Sequence, residues 1–270
     1  MATQNDLAAY FRSLHAPGNP VVLTNVYDGA TASHIANHPA TKAIATASYA
    51  IAASQGIPDE CLTLSQNLAS IRIVASVLKR DSSDKESTNS LLRVPLTVDV
   101  QDGYDNVAQT VKEIIKLGAV GCNIEDFDNN TGHLRSLPAA VKRIQYALEA
   151  AREVGVPDFV VNARTDVLGS PGGTVQDAIE RGKAFLEAGA CTVFVWGPGG
   201  RGVSSAEIKE LVAALGGKVN VKLVLKDGFL TVPELKAIGV ARISVGPELW
   251  RAAMGSFKDT ADRLLSSCEK

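Results

Sequence analysis

Eight short runs rich in Val, Ile, Leu and Ala punctuate the chain, at 21–25, 42–48, 94–100, 120–126, 159–165, 192–197, 220–225 and 241–246. Most are nearly continuous in apolar residues, the pattern of parallel strands covered on both faces. Helix-period segments lie between them. They span 62–79, 106–117 before Gly118, 138–154 with Pro138 in the first turn and Gly155 beyond the last, and 174–188 before Gly189. Another, 204–215, opens on Ser-Ser-Ala-Glu and stops at Gly216-Gly217. A short one starts at Thr231-Val-Pro-Glu and stops at Gly239, and the last covers 247–265. Cap residues at the starts and glycines past the ends are the expected helix punctuation. A leading helix at 6–14 closes at His15-Ala-Pro-Gly, and 81–89 reads as a polar loop.

Eight βα units in this length predict an α/β fold, a (β/α)8 TIM-type barrel. A doubly wound sheet would carry a glycine fingerprint such as GxGxxG after its first strand, and none follows 21–25. No linker interrupts the alternation, so residues 1–270 read as a single barrel domain.

Composition changes this picture little. Apolar residues make up 46% of the chain, charged residues 21%, and the net charge is −2. Lys and Arg form no run, which predicts no nucleic-acid partner. No apolar stretch reaches the ~18 residues of a membrane span. The N-terminus lacks a basic segment followed by an apolar one, which predicts no secretory signal. Cys61, Cys122, Cys191 and Cys268 show no CxxC spacing, and two of them sit in strand-like runs as small hydrophobes. A reducing cytoplasm is the expected compartment.

The chemistry collects at the C-terminal ends of the runs, where barrels keep their active sites. Those ends carry Asn25, Tyr27 and Asp28; Thr46, Ser48 and Tyr49; Asp99, Gln101 and Asp102; Glu125 and Asp126; Asn162, Arg164 and Asp166; Trp196; and Lys226 with Asp227. The N-terminal ends are blander, Asp158 apart. Oxygen donors without a histidine beside them make Asp99 and Glu125 candidates for Mg²⁺ or Mn²⁺ rather than zinc. The alternative is that these acids cap loops or pair with Arg164. Arg164 offers a planar fork for a substrate carboxylate and for developing enolate charge, or else a structural ion pair. The 196–202 segment is glycine-rich but lacks the Lys-Ser/Thr of a phosphate loop, and reads as a mobile loop. His34 and His38 read as surface or packing residues, and His133 is the histidine nearest the expected mouth.

Five segments carry a resemblance: Asn25-Val-Tyr-Asp28, Thr46-Ala-Ser-Tyr through Gly56-Ile-Pro-Asp59, Asp99-Val-Gln-Asp-Gly-Tyr104, Gly121-Cys-Asn-Ile-Glu-Asp126 and Asn162-Ala-Arg-Thr-Asp166. In this order, within roughly residues 20–255, the chain resembles the isocitrate lyase/phosphoenolpyruvate mutase superfamily. The resemblance implies a homo-oligomer, dimer or tetramer, with the C-terminal helix exchanged between subunits. It also implies Mg²⁺ at the barrel mouth and a small α-oxo acid, or its enolate, against the metal. By position, Asp99 looks like the direct metal ligand, with Asp59, Gln101 and Glu125 around metal-bound water. Ser48 and Tyr49 fall where backbone N–H groups receive the substrate. Arg164, Glu125 and Tyr49 are the expected catalytic set. Tyr27, Asp28, Thr46, Asn129, Asn130, His133 and Trp196 are expected to line the pocket.

Two departures from the pattern matter. Gln101 stands where the family usually has a second Asp, which removes one negative charge. The lyases carry Lys/Arg-Cys-Gly-His in the lid, whereas this chain has Asn129-Asn-Thr-Gly-His133 with Thr131 at the cysteine position. A hydroxyl is far less acidic than a thiol of pKa ~8.5, so it is a poor proton shuttle. That argues against isocitrate or methylisocitrate cleavage. The leading expectation is cleavage or decarboxylation of an oxaloacetate-like acid. Phosphoenolpyruvate or phosphonopyruvate chemistry, with Asn129 or Asn130 on the phosphoryl group, is the second, and a catalytically silent oxo-acid-binding barrel the third.

Overall fold

Each apolar run of the sequence becomes a strand within a few residues of its expected span. The computed structural model describes residues 2–79, 91–199 and 201–269; the polar loop expected at 81–89 lies outside the described residues. Along the chain run α1 (Gln4–Ser13), β1 (Val21–Val26), α2 (Gly29–Ala36), β2 (Ile44–Thr46), α3 (Ser48–Ser54), α4 (Leu64–Leu78), β3 (Leu96–Asp99) and α5 (Val107–Lys116). There follow β4 (Gly121–Glu125), β5 (Phe127–Asp128), β6 (His133–Leu134), α6 (Leu137–Glu153), β7 (Val160–Thr165), α7 (Val175–Glu187) and β8 (Thr192–Val195). The chain ends with α8 (Ser205–Ala214), β9 (Val219–Lys222), α9 (Val232–Ile238), β10 (Arg242–Ser244) and α10 (Glu248–Ser266).

Eight of these strands close into one parallel barrel in the order β1-β10-β9-β8-β7-β4-β3-β2. This is the α/β (β/α)8 architecture that the alternation of runs and helices requires. The helices cover it through amphipathic faces. In α5, Val107, Thr110, Val111, Ile114 and Ile115 are buried, the i, i+3, i+4, i+7 stripe of one helical face. Asn106 caps its N-terminus and Gly118, at φ 97°, takes the left-handed position beyond its end. Truncating Ile114, which is fully buried, should cost roughly 2–5 kcal/mol.

The N-terminal helix closes the bottom of the barrel. Phe11 of α1 is fully buried, and Gln4 Nε2 donates to the carbonyls of Ile115 and Ala119, each at 2.9 Å. Gly121 makes this closure possible. A Cβ there would sit 2.8 Å from the Val160 carbonyl oxygen and 3.0 Å from the Phe11 ring.

Three short elements escape the sequence pattern: α2, α3 and the β5–β6 hairpin. Each is too short for its periodicity to show, and α2 owes its start to a capping box between Asp28 and Thr31. One strand end also differs from expectation. The run expected over 220–225 pairs only to Lys222, so Lys222, and not Lys226 or Asp227, stands at the end of β9. Leu225 leaves the barrel and is half exposed.

The interior of the barrel is polar. Barrels of this class usually fill their centres with Val, Ile and Leu. Here the inward positions carry Thr97 and Asp99 on β3, Asn123 on β4, Asn162 and Arg164 on β7, Asn220 and Lys222 on β9, and Arg242 and Ser244 on β10. The residues two apart share one face of their strand. By contrast, α10 has no buried residue, and Phe257, Leu264 and Leu265 are each about two-thirds exposed.

Candidate active site

A cavity of about 300 Å³ opens at the C-terminal mouth of the barrel. Asp99, at the end of β3, is its most constrained side chain. Oδ2 accepts from the Ser48 N–H at 3.1 Å and the Ser48 hydroxyl at 3.0 Å. Oδ1 accepts from the Gln101 N–H at 3.3 Å and from Asn123 Nδ2 at 3.1 Å. Behind Asn123 runs a chain of bonds through the barrel. The Thr192 hydroxyl donates to Asn162 Oδ1 at 2.6 Å, and Asn162 Nδ2 donates to Asn123 Oδ1 at 2.7 Å. Bonds in such a chain polarise one another and hold the last acceptor in place.

The turn after Asp99 is strained. Gln101 (φ 52°) and Tyr104 (φ 57°) both occupy the left-handed region without being glycine. Such positions cost of order 1–3 kcal/mol each and concentrate at functional sites. The Gln101 conformation sends its amide to Asp59, with Nε2 donating to the Asp59 carbonyl at 2.6 Å and to Oδ1 at 3.1 Å. Gln101 therefore steers Asp59 and, like Glu125, stands behind the residues that line the cavity. Asp59 itself sits on a 3₁₀ turn at Asp59–Cys61 and does line the cavity.

Arg164 faces Glu125 across paired strands, and their Cα atoms are register partners. Its Nη1 lies 2.7 Å from Glu125 Oε2, while Nε and Nη2 grip Asp166 at 2.9 and 2.6 Å. The guanidinium lies 4.8 Å from the centre of the Trp196 ring. Arg164 thus makes the structural ion pairs that were the alternative reading. One proton on each of Nη1 and Nη2 stays free of these partners.

Charge on this wall is out of balance. Asp59, Asp99, Glu125 and Asp166 gather around the single guanidinium of Arg164. Burial and the Asp99 charge push the Asp59 carboxyl up to about 6. Burial holds Glu125 well above the ordinary carboxylate range, against the pull of Arg164. Burial draws Arg164 down, but Glu125 and Asp166 more than reverse this and keep it charged.

This donor set fits a hard dication in chemistry and charge: the donors are all oxygen, the carboxylates are in surplus, and burial raises three of them, Asp59, Glu125 and Asp166, above the ordinary carboxylate range despite Arg164. Among the described residues, no three acids, histidines or cysteines converge as a direct ligand set. A cation here would keep part of its water, which is the habit of Mg²⁺.

The other sequence candidates divide. Tyr49, Thr46 and Trp196 line the cavity. Ser48 lines it too, but its N–H is spent on Asp99, whereas the Tyr49 N–H has no partner among the described residues. Asn129 reaches the site through Glu125, at 3.3 Å. Tyr27, Asp28, Asn130 and His133 do not line the cavity. Asp28 is occupied in capping α2, Asn130 points to Asp105 at 3.4 Å, and exposed His133 donates from Nδ1 to the Thr131 carbonyl. Asp126 and Asp102 also turn away, to Arg181 and Arg135, each at 2.6 Å.

Sequence reasoning passed over Thr97, Asn123, Asn220, Lys222, Arg242 and Ser244. Their signal was present as polar residues at every second position of otherwise apolar runs (Val219-Asn-Val-Lys222, Arg242-Ile-Ser244).

Fold and site together define a (β/α)8 barrel whose polar groups converge at the C-terminal mouth, the end at which barrel enzymes keep their chemistry. The family description phosphoenolpyruvate phosphomutase matches residues 11–265, and the chain belongs to that family, within the isocitrate lyase/phosphoenolpyruvate mutase superfamily. It is similar to the 2-methylisocitrate lyase of Escherichia coli (strain K12), at 34% identity over 205 residues. That alignment covers 67% of this chain and 62% of the lyase, so the match spans less than two thirds of that relative. Among solved structures it is similar to a provisionally assigned phosphonomutase from Burkholderia cenocepacia J2315, at 34% identity and TM-score 0.82, covering 97% of this chain and 99% of the other. It is also similar to an oxaloacetate acetylhydrolase solved with the product oxalate, at 25% identity and TM-score 0.79, covering 96% and 86% of the two chains.

Proposed function

We propose that the chain is a divalent-metal-dependent enzyme that cleaves a carbon–carbon bond in, or decarboxylates, a small oxaloacetate-like α-oxo acid. Asp59 and Asp99, which line a 300 Å³ cavity, together with Glu125 and Asp166, which do not line it but pair with Arg164 on its wall, place more carboxylates than cations there, and this surplus carries the reading. Mg²⁺ or Mn²⁺ would be held by Asp99, with Asp59 and Glu125 reaching it through water; when bound, it supplies Lewis-acid stabilisation of charge on the oxo group. The free edge of Arg164 binds the substrate carboxylate, and the Trp196 ring, 4.8 Å from the guanidinium, adds a cation–π contact that helps to hold it. The Tyr49 N–H donates to the developing oxyanion. Without the cation, burial and the Asp99 charge raise the Asp59 carboxyl to about 6, so Asp59 gives up a proton when the metal binds. Glu125 holds Arg164 in register.

No cysteine lines the cavity, and burial pushes the thiols of Cys122 and Cys191 up. Thr131 does not line it either. Proton transfer by a thiol, the lyase route, has no group here among the described residues. This favours the oxaloacetate reading over methylisocitrate cleavage, despite the sequence similarity to a methylisocitrate lyase. The family description and the Burkholderia structure favour a second reading, phosphoenolpyruvate or phosphonopyruvate chemistry on the same site. The exposed apolar face of α10 supports a homo-oligomer in which that helix packs on a second subunit.

A panel separates the readings. Metal-stripped protein is given oxaloacetate or phosphonopyruvate, with and without Mg²⁺. The products followed are oxalate with acetate, pyruvate with CO₂, and phosphoenolpyruvate. Mg²⁺-dependent oxaloacetate breakdown is the expected outcome. Phosphonopyruvate turnover alone would select the second reading. No turnover, with oxo acids still raising the melting temperature, would leave a binding barrel.

A further inference from the structure

The strained turn after Asp99 is fastened from the outer layer of the barrel. Gln101 and Tyr104 hold left-handed conformations, which persist in non-glycine residues where the surroundings over-determine them. Within residues 99–104, the Val100 carbonyl is met from inside the turn, by the Gly103 N–H at 2.8 Å. The other carbonyls look outward. That of Asp99 accepts from Asn67 Nδ2 of α4, and that of Gln101 from the Glu125 N–H, each at 2.9 Å. The Gly103 carbonyl accepts from the Thr110 hydroxyl of α5, a fully buried residue, at 3.0 Å. Those of Asp102 and Tyr104 both accept from Arg143 of α6.

Arg143 is committed to this turn. Its Nε and Nη2 donate to the Asp102 carbonyl at 2.9 and 2.6 Å, and Nη2 also donates to the Tyr104 carbonyl at 2.5 Å. The acids nearby are served by a different arginine: Arg135 pairs with Asp102 at 2.6 Å and with Asp128 at 2.9 Å. Arg143 makes no ion pair with a described residue, so its charge is spent on backbone carbonyls. Hydrogen bonds from a charged donor are roughly twice as strong as neutral ones. The residue is partly buried and stands outside the cavity.

What the turn carries makes this fastening matter to the acid wall. Gln101 donates its N–H to Asp99 Oδ1 at 3.3 Å and its side-chain amide to the Asp59 carbonyl and Oδ1 at 2.6 and 3.1 Å. Its carbonyl accepts from the Glu125 N–H. Gln101 thus touches each of the three acids assigned to the cation. A Gln101 that relaxed out of the left-handed region would turn its N–H and its side chain away from them, because both directions follow from its backbone angles.

We propose that Arg143, with Thr110 beside it, is the positioning residue of the acid wall. By holding the carbonyls of Asp102, Gly103 and Tyr104, the pair keeps Gln101 left-handed and so sets the placement of Asp59, Asp99 and Glu125. The cation site is thereby governed from α6, a helix that contributes no residue to the cavity. The effect on the cation rests on the metal reading of the mouth; the fastening of the turn does not.

Mg²⁺ is titrated calorimetrically into the full chain as wild type, Arg143→Met and Ile179→Val, and amide hydrogen exchange is followed in the same proteins without metal. Ile179→Val shortens a buried side chain of α7 and controls for a general loss of stability. Arg143→Met should bind Mg²⁺ about tenfold more weakly. Its Gly103 and Glu125 amides should exchange about tenfold faster relative to those of β7. Ile179→Val should leave both measures within about twofold of wild type. A folded Arg143→Met protein with wild-type Mg²⁺ affinity overturns the proposal. If that variant does not fold, Thr110→Val decides, since it removes the donor to the Gly103 carbonyl and nearly keeps the side chain's shape. Mg²⁺ bound about threefold more weakly supports the fastening, and unaltered affinity overturns it. If the wild type binds no Mg²⁺, the metal reading fails by itself and the exchange ratio judges the turn. A ratio raised in Arg143→Met then keeps the fastening, and an unchanged ratio overturns it.

Discussion

The two walls of the barrel mouth are built on opposite plans. On the side of β2, β3, β4 and β7, the functional groups are multiply tied. Asp99 accepts from Ser48, Gln101 and Asn123, and Arg164 is fixed by Glu125, Asp166 and the Trp196 ring. On the side of β9 and β10, Lys222 is drawn to Glu248 at 2.9 Å, while Arg242 makes no ion pair with a described residue and its Nε donates to the Ser244 hydroxyl at 3.2 Å. The first wall has its groups set before any substrate arrives, which is the condition for stabilising charge that develops during reaction. The second wall is held by fewer bonds.

Breaking the acid wall should have the largest effect. Asp99→Ala should lower Mg²⁺-dependent turnover by about 10³-fold or more, with an unchanged circular dichroism spectrum. Full activity in that variant would remove Asp99 from the metal site. Arg164→Lys keeps the charge and discards the fork, so kcat/KM should fall about 10²-fold, measured under saturating Mg²⁺. A loss within threefold would mean that Arg164 serves only its ion pairs.

A gentler change separates positioning from ligation. Asn123→Ala removes a donor from Asp99 and cuts the chain from Asn162 and Thr192, while leaving every acid in place. Metal affinity should fall about tenfold, with kcat near wild type once Mg²⁺ saturates. A drop in kcat at unchanged metal affinity would contradict the positioning role.

The pH dependence sharpens the same contrast. The Asp59 carboxyl lies near 6 in the folded, metal-free protein, above its ordinary value of 3.8. A raised carboxyl binds its proton more tightly when folded. Its contribution to stability is therefore complete at pH below 3.8 and is lost as the pH rises through 6. Metal-free protein should thus lose some thermal stability between pH 4 and 7, and Mg²⁺ should restore it. Cation binding expels the same proton, so Mg²⁺ affinity should strengthen as the pH rises through 6. Asp59→Asn should flatten both profiles; unaltered profiles would assign the proton elsewhere. The smallest effect is expected at Thr131→Ala, within about twofold in kcat, because Thr131 stands exposed outside the cavity.

The barrel was legible in the sequence because its strands lie within runs that are mostly apolar, even where the paired segments themselves are half polar or more, as in β9 (Val219-Asn-Val-Lys222) and β10 (Arg242-Ile-Ser244). The acid wall was legible for a related reason, since Asp99, Glu125 and Arg164 interrupt such runs at their C-terminal ends. The opposite wall was harder to read. Asn220, Lys222 and Arg242 sit inside their runs, where alternation with Val and Ile is too short to stand out. In 220–225 the apolar continuation through Leu223-Val-Leu225 also concealed the true strand end at Lys222. The pairing of Gln101 with Asp59, and the turning of Asp126 toward Arg181, depend on side-chain directions that spacing does not carry.

The acid wall is meant to hold a cation and a small oxo acid together, so their mutual effect is the most direct test. Mg²⁺ is titrated calorimetrically into wild-type and Asp99→Ala protein, with and without oxalate. In the wild type, oxalate should tighten Mg²⁺ at least tenfold, and in Asp99→Ala both the binding heat and the coupling should vanish. Mg²⁺ affinity that is equal in the two proteins and indifferent to oxalate would contradict the assignment.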